Sequence, residues 1–580
     1  MANLSQQRRE KMLAFLETLK EQHSDDDSLI AIGEIEKELK AKKYGLVWEE
    51  HEEAVDVQMK TQIPVFTEIK EKEICADENG AYNFLLEGDN LHSLYLLEKT
   101  HKGKIDVIYI DPPYNTQNKD FVYDDNLIGF DDGFRHSKWL SFMAERLTVA
   151  KKLLSDKGCI FISIDDNEVA QLKLMCDEIF GESAFVTQLV WEKKKKGSFL
   201  SNQITNIKEY VLVYCKNKTM FSGLIGEINS KTETYPCINA SNKRAICKIS
   251  KGIKSNYKEK NYIVPAGTTI SDSTMDIKYI TDLIIEDGIV KEDFEVEGNW
   301  RYSSEAMHNY SVNNELYITN ALYIRRIVSE PRKKMMKDLL PRVGEDDTLS
   351  YNTPIEADNL FNSGWGSNED ADNELIAFFG KQRKFSYPKP VRLIQKLICA
   401  TRLTDAIILD FFAGSGTTGQ AVMELNKQDG GHRKFILCTN NENGICEEVT
   451  YQRLRTVITG KRADGSEYSE GIPANLKYFK TDFVDKESED LSDELLEHIA
   501  EMIELEYGIK IDSQKYVMIM TDEEMDEFER NIASYAELKA VFVNQDILLS
   551  STQQKLLDSL TSYVIPDYYF DFELREAGEL

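Results

Sequence analysis

The chain has 580 residues, 42% of them hydrophobic and 29% charged, and a formal net charge of −30. That composition excludes whole-chain disorder and, at roughly 150 residues per domain, leaves room for about two to five domains. No run of about 18 apolar residues occurs, which excludes an apolar transmembrane helix.

In chain order, residues 6–43 carry apolar positions at helical spacing (Met12, Phe15, Leu16, Leu19, then Leu29, Ile32, Ile35, Leu39), which predicts a helical hairpin turning near residues 25–27. Residues 105–111 (IDVIYID) form an apolar, β-branched run expected as a buried strand. An amphipathic helix over 137–154, a strand over 159–164, a helix over 167–180 stopped by Gly181, and a strand over 210–215 follow. The alternation resumes with a helix over 391–401, a strand over 406–412, a helix over 416–425 and a strand over 435–438. Alternating strands and helices of this kind specify a parallel α/β sheet. Between the two blocks, residues 218–380 are polar and show only short β-prone pieces, 262–265 and 317–328, so a separate recognition insert is expected. The last hundred residues mix acidic helices (491–507, 522–534) with short strands (516–520, 540–543), an α+β pattern.

Charge follows this organisation. Residues 481–580 hold 26 acidic and 7 basic side chains, and residues 1–100 hold 22 and 12. Residues 191–260 reverse the balance, with 15 basic against 5 acidic, and residues 381–402 hold 7 basic and none acidic. A polyanion is therefore expected at the middle of the chain and other partners at its ends. The opening residues lack the apolar stretch of a signal peptide, and the nine cysteines form no C-x-x-C pair. A cytoplasmic protein with reduced thiols, no metal site and no membrane partner is the expectation.

Two motifs carry chemistry. Asp111-Pro112-Pro113-Tyr114 directly follows the first strand of the α/β block. Two prolines fix the backbone at a strand's carboxyl end, where open α/β sheets place ligands. A carboxylate and a carbonyl held there can accept both hydrogens of an exocyclic amine, and the tyrosine can stack on the base that bears it. The second motif, residues 410–419 (DFFAGSGTTG), closes a strand and opens a helix. Its glycines allow a tight turn and close approach of a ligand to the backbone beside the helix N-terminus. Gly414, Gly416 and Gly419 also satisfy G-x-G-x-x-G, which leaves a nicotinamide-dependent oxidoreductase open as a remote alternative.

Together, Asp-Pro-Pro-Tyr and Phe412-x-Gly414-x-Gly416 resemble the DNA amino-methyltransferases, and their order along the chain resembles the β class. Further stretches agree: Gly88-Asp89-Asn90-Leu91, residues 208–214 (KEYVLVY) and residues 385–390 (FSYPKP). Residues 440–451 and 475–483 look like the modification (Mod) subunits of type III restriction–modification systems. The resemblance covers about residues 80–216 and 380–485. It implies a Rossmann-like, circularly permuted methyltransferase sheet with an inserted recognition domain. The implied domains are an N-terminal helical region (1–79), a catalytic half (80–217), the inserted target-recognition domain (218–380), a cofactor-binding half (381–484) and an acidic C-terminal α+β domain (485–580).

The resemblance also implies roles. Asp111 and the Pro112 carbonyl accept the hydrogens of an adenine N6 amine, Pro113 holds the turn, and Tyr114 stacks on the flipped base. S-adenosylmethionine is expected against Asp410, Phe412, Gly414, Ser415, Gly416 and Thr417, its carboxylate at Lys389 and its ribose at Asn441 or Glu442. Lys193, Lys194, Lys195 and Lys196, with Arg325, Arg326 and Lys333, are expected to contact double-stranded DNA. A homodimer and a restriction (helicase–nuclease) subunit are expected partners. The alternative within this class is a solitary methyltransferase acting on adenine or on cytosine N4.

Overall fold

The computed structural model describes residues 4–23, 26–40, 48, 51–116, 122–123, 126–127, 134–194, 204–272, 275–380, 385–565 and 569–577. They form two compact units, Met1–Leu224 with Lys337–Leu580, and Ile225–Met336.

The first unit is built on a ten-stranded sheet: β1 (Gln62–Glu68), β2 (Tyr82–Glu87), β3 (Ile105–Ile110), β4 (Leu154–Ile164), β5 (Phe185–Glu192), β6 (Lys208–Cys215), β7 (Leu339–Leu340), β8 (Ile407–Asp410), β9 (Lys434–Thr439) and β10 (Asn475–Asp485). In space the order is β1-β10-β2-β9-β8-β3-β4-β6-β5-β7. From β10 to β4 every neighbour is parallel, and β6 runs antiparallel between β4 and β5. The parallel strands are apolar on both faces because helices cover both. Asn90–His101 (α1), Arg135–Leu153 (α2) and Val169–Phe180 (α3) touch in one series, and Val391–Thr401 (α4), Thr417–Asp429 (α5) and Tyr451–Thr459 (α6) in another.

The decisive pairing is β3 with β8, in register Val107↔Ile408 and Ile108↔Leu409. Strands about 300 residues apart in sequence thus lie side by side at the centre of the sheet. From that point β8–β9 progress one way and β3–β4 the other, so the crevice between their carboxyl ends is a topological switch point, where ligands bind in sheets of this type.

The N-terminal hairpin is present as Leu4–Gln22 and Asp26–Lys40, joined by a Lys20–Glu36 ion pair. The second unit is almost entirely β, with a seven-stranded and a four-stranded sheet around a core that includes Tyr279, Phe294 and Trp300. Its bounds are narrower than the expected insert of 218–380. Residues 337–380 belong to the first unit: Leu339–Leu340 pair with β5, and the buried Trp191 indole donates to the Gly366 carbonyl at 3.0 Å. The sequence could not show this, because residues 337–380 hold one two-residue strand and one helix in otherwise polar chain.

In the C-terminal region the helix expected over 491–507 is broken into Leu491–Leu496 and Ile499–Tyr507. The strands Tyr516–Ile519, Ala540–Asn544 and Ser562–Ile565 are parallel and alternate with the helices Asp522–Asn531 and Ser551–Asp558. Among the described residues, no helix is long and apolar enough to cross a membrane.

Candidate active site

β3 ends at Ile110, and the next residue, Asp111, opens the Asp-Pro-Pro-Tyr turn. Trp139, buried on α2, donates its indole N–H to the Pro113 carbonyl at 2.7 Å and fixes the turn from below. Asp111 is not free. Lys389 Nζ lies 2.9 Å from both of its oxygens, and Tyr114 Oη donates to Oδ1 at 2.7 Å. The same ammonium donates to Tyr114 Oη at 2.8 Å and stands 3.3 Å from Glu209 Oε2. Glu209, on β6, is also paired with Lys193 at 2.8 Å. Two carboxylates and two ammonium groups therefore close into one neutral cluster around the tyrosine hydroxyl.

Burial raises the Asp111 pKa above the ordinary carboxylate range; Lys389 opposes that shift and the like charge of Glu209 adds to it. Burial also tends to raise Glu209, but Lys389 and Lys193 outweigh it and hold Glu209 low. The cluster thus separates its two carboxyls, with Asp111 the more basic.

The second motif lies across the β3–β8 seam. Asp410 ends β8 and accepts from the Phe412 N–H at 3.0 Å and from the Thr418 hydroxyl, bracing the loop from strand to helix. Burial pushes Asp410 up to about 7, and the nearby charge of Asp111 adds to the shift. Gly414 and Gly416 have φ of +49° and +76°, a region that side chains disfavour. A Cβ on Gly414 would stand 3.0 Å from Phe385 Cζ, and one on Gly416 3.1 Å from Thr450 Cγ2. The loop backbone is therefore necessarily bare beside the half-buried Phe412 ring. Asn90, in the Gly-Asp-Asn-Leu stretch, donates to the Phe411 carbonyl at 2.8 Å and accepts from the wholly buried Arg146 at 2.6 Å.

The other expected site residues have the following partners. Ser415 and Thr417 turn their hydroxyls under the loop to the buried Arg453, at 3.1 and 2.9 Å. A buried guanidinium takes any acceptor within reach, so both hydroxyls are committed to it. Lys389, expected at a cofactor carboxylate, is spent on Asp111, Tyr114 and Glu209. Lys193, expected on phosphate, is spent on Glu209. Lys194 is half-buried, and Lys195 and Lys196 lie outside the described residues. Glu442 is exposed just beyond β9, while Asn441 accepts from the Glu447 N–H at 3.2 Å. In the second unit, Arg325 donates to the Thr234 carbonyl at 2.8 Å, and Arg326 pairs with Glu315 at 3.2 Å and covers the Tyr310 ring at 3.7 Å. Lys333 is exposed there.

Residues 105–451, more than half of the chain, match the DNA methylase family profile for N6 and N4 methyltransferases. The chain belongs to that family. Among relatives of this chain, the StyLTI Mod subunit of Salmonella typhimurium, a type III restriction–modification enzyme, is 34% identical over 412 residues, 65% of this chain and 56% of that one. The type II methyltransferase M.KpnI of Klebsiella pneumoniae is 33% identical over 370 residues, 63% of this chain and 82% of that one. The EcoPI Mod subunit of Escherichia phage P1 is 32% identical over 397 residues, 63% of this chain and 58% of that one. The chain thus spans little more than half the length of these two Mod subunits.

Sequence reasoning missed Glu209, although a signal was present: it is the one acidic residue in the apolar strand KEYVLVYC. It also missed Trp139, whose polar edge is invisible in a helical periodicity that reads the ring as core.

Proposed function

We propose that this chain transfers a methyl group from S-adenosylmethionine to the N6 amine of an adenine flipped out of double-stranded DNA. We further propose that it does so as the modification subunit of a type III restriction–modification system, partnered by a restriction subunit and a second copy of itself. One observation carries the reading: β3 and β8 are adjacent, so the Asp-Pro-Pro-Tyr turn and the bare glycine loop flank a single crevice. Family membership and the Mod subunits among its relatives support it.

The residues fit the cofactor. The backbone of Gly414 and Gly416 admits it, Phe412 packs beside it, and the exposed Glu442 at the end of β9 suits ribose hydroxyls. When bound, S-adenosylmethionine supplies an electrophilic methyl on a sulfonium. The chain's own part is to orient and activate the amine. Its lone pair is delocalised into the ring, and Asp111 with the Pro112 carbonyl, accepting its two N–H bonds, favours a more tetrahedral nitrogen. Those hydrogen bonds strengthen as positive charge develops there. The proton released from nitrogen passes to Asp111, the more basic carboxylate of the cluster. For the amine to reach Asp111, Lys389 must give up at least one of its two contacts, and Glu209 is in place to keep it. The Tyr114 ring stacks on the extruded base, offsetting part of the few kcal/mol that flipping costs.

Sequencing methylated bases in DNA from cells with and without this chain tests the reading: N6-methyladenine at one recurring site supports it, and its absence sinks it. A second reading, a methyltransferase without a restriction partner, is favoured by the match to 82% of M.KpnI. Co-purification of a helicase–nuclease subunit separates the two.

A further inference from the structure

We propose that Glu168 is a positioning residue for the turn that carries Asp111 and Tyr114, holding it through a hydrogen-bonded staple to Asn115 and His136. Glu168 stands between β4 and α3 and is wholly buried. Its Oε1 accepts from Asn115 Nδ2 at 2.6 Å and from His136 Nδ1 at 2.6 Å. Arg135 Nε donates to His136 Nε2 at 3.3 Å, which leaves the ring proton on Nδ1, facing Glu168. Asn115 directly follows Tyr114, and His136 lies in the first turn of α2. One carboxylate oxygen therefore joins the residue that leaves the turn to the helix where the chain returns. The Asn115 amide also reaches the Arg135 carbonyl at 3.4 Å.

Two observations mark this as more than core packing. Asn115 is left-handed, with φ +56°, and only 2% exposed. Glycine is the easy residue for that conformation, so the asparagine side chain is there for its bonds. Glu168 Oε2 is buried with no hydrogen-bond partner among the described residues, a costly arrangement that a purely stabilising group avoids. With Trp139 on Pro113 and Glu168 on Asn115, both neighbours of Tyr114 are pinned, and the ring can be presented in one place.

The inference rests on the functional reading above, and the experiment separates the two. Asn115→Gly removes the amide while relieving the backbone, so a merely structural Asn115 predicts a neutral or stabilised protein. The staple predicts instead that the variant stays folded, that its amides at positions 114–116 exchange with deuterium about tenfold faster, and that single-turnover methyl transfer at saturating DNA and cofactor falls about tenfold or more, with cofactor KM within about twofold. Glu168→Ala should match it. Glu168→Gln, which keeps the accepting oxygen, should recover most of the rate. Unchanged exchange in Asn115→Gly overturns the proposal, and so does faster exchange with an unchanged transfer rate. If the wild-type chain transfers no methyl to DNA, the functional reading fails instead. Exchange at the turn then decides the staple alone: faster retains it and unchanged overturns it.

Discussion

Replacing Lys389 by Met keeps an unbranched side chain one atom shorter and removes its charge. The ammonium is 2.9 Å from both Asp111 oxygens and its side chain is 7% exposed, against 24% for Asp111. At about 3 Å and an effective dielectric of about 20, such a pair is worth roughly 5 kcal/mol before desolvation and sharing are counted. Glu209 takes part of that ammonium, so the expected loss of stability at about pH 8 is about 3–5 kcal/mol, the range for a buried charge deprived of its partner. The dependence on pH follows from the sign. Without the cation, only the Tyr114 hydrogen bond still opposes burial at Asp111, and its folded pKa moves further above its unfolded value. A carboxyl in that position loses stability as pH climbs through the interval between the two pKa values. The deficit is therefore largest at about pH 8 and shrinks at about pH 5, where the group takes up a proton. Protonation of Asp111 takes an acceptor from the amine, so the acid limb of methyl transfer should move to higher pH in the variant. Urea unfolding at the two pH values, with single-turnover transfer across the same range, measures both effects. Equal deficits at both pH values and an unmoved acid limb, together with a loss of cofactor affinity, would refute the assignment and return Lys389 to the cofactor carboxylate.

Glu209→Gln removes the like charge that adds to the Asp111 shift, so its acid limb should move to lower pH, opposite to Lys389→Met; a shift in the same direction contradicts the cluster. Tyr114→Ala should lower single-turnover transfer about 5–150-fold, from the roughly 1–3 kcal/mol of a base stack, while thermal melting shows a folded protein; unchanged transfer removes the stacking role. Gly419→Ala places a Cβ 2.5 Å from Leu454 Cδ2 and should cost about 1–3 kcal/mol of stability, less up to about 1 kcal/mol of helix propensity. Its cofactor affinity should not change by calorimetry, because this third glycine serves helix packing. Lys333→Ala should weaken DNA binding and reduce the slope of log affinity against log salt by about 1; an unchanged slope means that it touches no phosphate.

Much of the fold was legible because parallel strands buried on both faces must be apolar throughout. IDVIYI and the run around Cys159–Ile164 announce themselves in this way, and α4 has the residue range its periodicity predicts. What was illegible depended on partners remote in sequence. β1 ends as an antiparallel edge against β10, and residues 337–380 gain their place from Trp191 and β5, so neither has a local signature. The narrower second unit follows from the same fact.

The site shows the same division for an electrostatic reason. Asp-Pro-Pro-Tyr and the glycine loop were legible because their function is local backbone geometry: a turn that must hold and a strand end that must stay bare. The partners of the lysines were not legible because a cation's contacts are set by whichever carboxylate is nearest in space, and sequence is blind to that. Lys193 sits in a basic run that reads as a phosphate contact, yet Glu209 claims it; Lys389 reads as a cofactor contact, yet Asp111 claims it. Both pairings have one physical origin. A half-buried acceptor that must meet a neutral amine while ionised needs a counter-charge until the amine arrives, and that charge must have somewhere to go. In the reaction proposed above, Lys389 would supply the charge, and Glu209, 3.3 Å away and anchored by Lys193, would receive it. A variant that strands the lysine on Asp111 should therefore harm the exchange of partners more than the stability of the fold.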